Sequence, residues 1–105
     1  MFPKGGMGGI YKKAQEMQKK MADIQLEIDS MEIEGSSGGG MVKTVVNGKK
    51  RVLSLNINPD ILNEDKEMLE DLILVAINQA IEKIDVISKD KMGSLTGGMN
   101  IPGLF

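Results

Sequence analysis

Between Gly9 and Met31 an apolar residue returns at Ile10, Ala14, Met17, Met21, Ile24, Ile28 and Met31, in alternating steps of four and three. A mean step of about 3.5 keeps these side chains in one narrow seam along a helix, as in a coiled coil or an antiparallel helix pair. A strand would scatter them over both faces. The intervening Lys12, Lys13, Gln15, Glu16, Gln18, Lys19, Lys20 and Asp23 are helix formers or solvated residues. Such a seam is a packing surface. It has to be covered by its own chain or by a second copy.

The rest of the 105-residue chain limits what can cover it. Aromatic residues are confined to Phe2, Tyr11 and Phe105, while methionine occurs nine times, so the core is aliphatic and adaptable in shape. Cysteine and histidine are absent, which excludes disulfides, thiol nucleophiles, Cys/His zinc sites and the usual neutral-pH general base. The longest apolar run, Leu72 to Ile77, is far shorter than a bilayer span. One soluble, intracellular domain is expected, with no cofactor, no metal and no enzymatic activity.

The glycine-rich residues 1–9 read as a flexible arm, followed by a helix from Gly9 to about Ser30. Met31 to Glu34 alternates apolar and acidic residues as a short strand does, and Gly35 to Gly40 reads as a flexible loop. Met41 to Val46 and Lys50 to Ile57 form two more strands around the Asn47-Gly48 hairpin signal. A two-residue turn there sets Val42 opposite Leu53 and Thr44 opposite Arg51, while the doubled Lys49-Lys50 leaves room for a longer one. Pro59 ends the sheet and Asp60 to Leu62 form a single turn. Asn63 is the expected N-cap of a second helix, with Glu64, Asp65 and Glu67 in its first turn. Its wide apolar stripe is Leu69, Leu72, Ile73, Ala76, Ile77, Ala80, Ile84 and Ile87, and it reaches Lys91 or Leu95. The organisation is therefore an arm over 1–9, a single α-β-β-β-α domain over 10–92, and a flexible Gly-rich tail over 93–105. Two helices of this length overhang a three-stranded antiparallel sheet, and an overhanging apolar seam points to a homodimer.

Charge is sorted into blocks. Residues 1–20 carry five lysines against Glu16, a balance of +4, and residues 21–35 carry five carboxylates and no base. Residues 41–51 add four basic side chains, and residues 60–71 hold six carboxylates against Lys66. A local positive field is thus compatible with a net charge of −2. The acidic run from Asp60 to Asp71 lacks the pattern of a calcium loop and is a solvated helix start. Gly35 to Gly40 has the glycine spacing of a Walker loop, but Met41-Val42 replace its lysine and hydroxyl residue, so nucleotide binding is excluded. Lys12, Lys13, Lys19 and Lys20 form a two-row patch beside the seam, where cations oppose the helix dipole. Phosphate binding competes there with plain solubility through Glu16–Lys20 and Lys19–Asp23 pairs. Without aromatic stacking platforms, a duplex backbone is the more natural polyanion.

The glycine-rich start before KKAQEMQKKM, the loop GSSGGGMVK, the Asn47-Gly48 turn, INPDIL and DKEMLEDLILVAINQA together resemble the YbaB/EbfC family of bacterial nucleoid-associated proteins. The likeness spans nearly the whole chain. It implies an α+β protomer of α-β-β-β-α order and a tweezers-like homodimer. It also implies a cytoplasmic, nucleoid-associated protein that binds double-stranded DNA, alters its conformation and affects gene expression. By that resemblance Lys12, Lys13, Lys19 and Lys20, with Lys83, Lys89 and Lys91 of the second helix, are the candidate DNA contacts. Ile10, Ala14, Met17, Met21, Ile24 and Ile28 form the dimer or core seam. The alternative is a dimeric protein–protein adaptor that does not touch DNA. No membrane or small-molecule partner is expected.

Overall fold

The computed structural model describes residues 4–95. Helix α1 (Lys4–Asp29) leads into strands β1 (Glu32–Ser37), β2 (Val42–Asn47) and β3 (Val52–Ile57), and helix α2 (Lys66–Leu95) closes the order. The strands form one antiparallel meander, β1-β2-β3. The expected α-β-β-β-α fold is the one found. With extents of 77 × 24 × 16 Å and a gyration radius of 20.6 Å, the protein is far longer than a compact domain of its size, for which about 13 Å is typical.

α2 lies across one face of β1 and β2. From β2, Val42, Thr44 and Val46 are buried beneath it, and Ala76, Ala80 and Ile84 are the buried side chains of the helix. Small residues at four-residue spacing bring the helix backbone close to the sheet, and Gly35 of β1 completes the approach. A Cβ on Gly35 would strike the Ala76 carbonyl and the Ala80 side chain. α1 is docked in the same way at the other end of the strands. A Cβ on Gly48 would strike the Ile28 carbonyl, and the Gly48 N–H donates to Met31 O at 3.1 Å.

Several boundaries differ from expectation, each because a distant group intervenes. β1 extends through Gly35-Ser36-Ser37, leaving only Gly38–Gly40 as the connecting turn. The Ser36 N–H donates to Gln79 Oε1 (2.9 Å) and the Ser37 hydroxyl to the Leu72 carbonyl (2.5 Å), so α2 holds the stretch in the sheet. The hairpin has a three-residue loop, Gly48–Lys50, with Lys50 at φ 66° in the left-handed position that follows a type I turn. Asn47 Oδ1 accepts from both Lys49 N–H and Arg51 N–H, which a two-residue turn would not present together. With a bulge at Val45/Val46, Val42 therefore faces Ile57 and Thr44 faces Leu55, not Leu53 and Arg51.

After the expected single turn, Pro59–Ile61, the backbone keeps turning as Glu64 N–H donates to Ile61 O. Asn63 thus lies inside that turn and does not cap α2. The Asp65 carbonyl accepts the first helical bond, from Leu69 N–H at 3.0 Å. α1 begins at Lys4 rather than Gly9, since extending a formed helix gains a hydrogen bond per residue fixed and needs no new nucleus. α2 runs through Gly93 to Leu95. Residues 1–3 of the expected arm and 96–105 of the expected tail lie outside the described residues.

The Gly35 approach generates a stability prediction. Gly35→Ala forces α2 off the sheet and should cost about 2–3 kcal/mol, lowering the melting temperature by roughly 10 °C. Gly9→Ala, whose Cβ would meet nothing within 4 Å, should leave it unchanged or raise it. Thermal denaturation followed by circular dichroism at one protein concentration compares the two. Equal melting temperatures would show that the close approach is not needed.

Candidate nucleic-acid interface

The seam of α1 is covered only at its C-terminal end. Ile28 is buried, Met17 and Ile24 are half-buried, and Ala14, Met21 and Ile10 are exposed, Ile10 by 71%. The N-terminal half of α1 therefore stands clear of the rest of the chain, and all four of its candidate lysines, Lys12, Lys13, Lys19 and Lys20, are exposed. Along the helix the two members of each row are about 10 Å apart. Around it, the rows separate more than the sequence reading allowed. Lys13 and Lys20 flank the seam, whereas Lys12 and Lys19 lie about 100° further round, on the side away from it.

The solubility explanation for this patch required Glu16–Lys20 and Lys19–Asp23 pairs. Neither forms. Among the described residues the ion pairs are Lys50–Asp85 at 2.9 Å and Lys91–Glu27 at 2.6 Å. The α1 lysines thus keep their charge uncompensated by a bonded carboxylate, while the acidic block begins just beyond them at Asp23.

α2 divides its three candidates. Lys83 Nζ donates to the Glu34 carbonyl of β1 at 3.0 Å, and Lys91 is held by Glu27 of α1, so both tie elements of the fold together. Lys89 is exposed and has no ion pair. The structure joins Lys91 to α1 through Glu27, and it leaves Lys83 at the β1 edge, apart from the α1 rows. Sequence reasoning missed both ties, because neither Glu27 nor the Glu34 main chain is a helical neighbour of its partner.

Among the described residues no cluster of carboxylates is arranged to hold a metal ion, and no helix is long and apolar enough to cross a membrane. What the site offers is exposed cations on a projecting rod, with the exposed Tyr11 beside Lys12, an arrangement suited to a phosphate backbone.

In a crystal structure of the uncharacterized protein HP0035 from Helicobacter pylori the fold recurs with a TM-score of 0.72. That likeness covers 92% of this chain and 100% of that one at 24% identity, which establishes the shared fold. The sequence model of the YbaB/EbfC DNA-binding family matches residues 4–99. With that match running from the start of α1 past the end of α2, the chain belongs to the YbaB/EbfC DNA-binding family.

Proposed function

We propose that this protein works as a homodimer that grips duplex DNA through phosphate contacts from its projecting helices, and in this way shapes nucleoid organisation and gene expression in the cytoplasm. Family membership supports DNA as the partner. The observation that carries the reading further is the set of α1 lysines that stand exposed and without carboxylate partners. Lys89 is the α2 residue best placed to join them. Lys83 and Lys91 serve mainly to hold β1 and α1, and reach phosphate only by giving up those partners.

The dimer is supported by β3. α2 covers β1 and β2 but stops short of β3, so Leu55, Val52 and Leu53 remain 44–49% exposed. Leu55 and Val52 face the same side of the sheet as the buried Thr44 and Val46. An uncovered extension of a core face, together with the bare N-terminal seam of α1, is apolar surface that a second copy buries.

Two experiments test this. Sedimentation should return twice the 11.4 kDa chain mass, and Leu55→Glu should return the single chain mass, because a carboxylate has no partner in such an interface. A wild-type protein that stays folded at the single mass would overturn the dimer. For the DNA site, Lys13→Ala/Lys20→Ala removes about four phosphate contacts from a dimer, so the slope of log affinity against log salt should fall by about 3–4. The loss should be similar on unrelated duplexes, since phosphate contacts do not read bases. The matched control is Lys49→Ala/Arg51→Ala in the hairpin, chosen because Lys50 is bound to Asp85. Equal losses would mean that only net charge matters. Absence of binding at low salt would favour the adaptor reading.

A further inference from the structure

We propose that the cleft between the β1 edge and α2 docks an extended, lysine- or arginine-flanked aliphatic segment of another protein. The cleft is a shallow groove, open to solvent, of about 620 Å³. Its apolar wall is Ile33, Val86 and Ile87, and Val86 is 59% exposed although it sits beside the core. Glu32, Glu34 and Glu82 line it too. The one cation present, Lys83, is already committed to the Glu34 carbonyl. The cleft is therefore apolar inside and negative around, which selects a cationic, aliphatic occupant and repels nucleic acid.

Backbone geometry specifies an extended segment. Among the described residues β1 pairs only with β2, so its other edge carries no strand. Ser36 N–H and the Glu34 carbonyl point to that edge, where Gln79 and Lys83 meet them. By strand alternation Glu32 turns its main-chain groups the same way. That alternation turns the Glu34 N–H and the Glu32 carbonyl away from β2, and among the described residues no side chain bonds to either. They are available to an incoming main chain, as in strand addition at a sheet edge. The capping by Gln79 and Lys83 limits that addition to the Glu32–Glu34 end of the strand, next to Val86. Apart from Lys83, which is committed to the Glu34 carbonyl, none of the residues lining the cleft is among the candidate DNA contacts.

The probe is a labelled hexapeptide of alternating valine and lysine, capped at both ends, with its valine–glutamate counterpart, each titrated by fluorescence anisotropy at an ionic strength on the order of 0.15 M. The valine–lysine peptide should bind the full chain and the valine–glutamate peptide should not. Val86→Lys should raise Kd about tenfold. Val75→Lys, at a similarly exposed position of α2 outside the cleft, should change it less than about twofold. Glu82→Lys and Glu70→Lys, both at exposed positions, repeat the comparison without touching an apolar residue. Equal losses within a pair would reduce the effect to net charge and overturn the proposal. So would failure of the wild-type chain to bind. A changed sedimentation mass for Val86→Lys would overturn it as well, because the cleft would then be an interface between copies of this chain.

Discussion

The contact on which the structure depends is the backbone-close approach of α2 to β1 at Gly35. With Ala76 and Ala80 above a residue that has no side chain, the helix sits low enough for Gln79 and the Leu72 carbonyl to reach Ser36 and Ser37. Those two bonds turn a glycine- and serine-rich stretch with little intrinsic strand preference into the second half of β1. The same approach buries Val42, Thr44 and Val46 and makes the small core. Thr44 adds a polar group to that core at no cost in unsatisfied hydrogen bonds, since its hydroxyl donates to the Ser54 carbonyl at 2.8 Å.

A core this small leaves much of the chain outside it. α1 is held only near its C-terminus, by the Gly48 approach, Ile28 and the Glu27–Lys91 pair. The exposed pair contributes modestly to stability, but it fixes where α1 lies along α2. What remains of α1 is a rod whose seam is largely exposed and whose lysines Lys12, Lys13, Lys19 and Lys20 form no ion pair. The uncovered face of β3 and the bare N-terminal half of the α1 seam are both apolar surface that so small a core does not reach.

Charge is segregated between different parts of the fold. The basic half of α1 is suited to phosphate, while the carboxylates of β1 and α2 line a cleft that phosphate would avoid. A protein of net charge −2 can hold a polyanion in this way because screening confines each field to about a Debye length, on the order of 10 Å. The two regions can carry opposite signs without cancelling.

By itself the sequence determined the elements and their order. The 3.5 spacing of Ile10 to Ile28 and the broad stripe from Leu69 to Ile87 specify helices through periodicity, which is local. Asn47-Gly48 and Pro59 marked the ends of strands for equally local reasons, and the lysine rows were legible as spacing. Tertiary structure decided whatever depends on a remote partner. The second half of β1 exists because of Gln79, 43 residues downstream of Ser36. The hairpin register rests on how the Asn47 side chain gathers the turn, a choice of hydrogen bonds that the dipeptide alone leaves open. Which lysines stay uncompensated was decided in the same way. Helical spacing put Glu16 near Lys20, yet the α1 carboxylate that acquired a lysine was Glu27, 64 residues from Lys91. Local pattern specifies which element a residue joins, and only the packed chain decides what that residue meets.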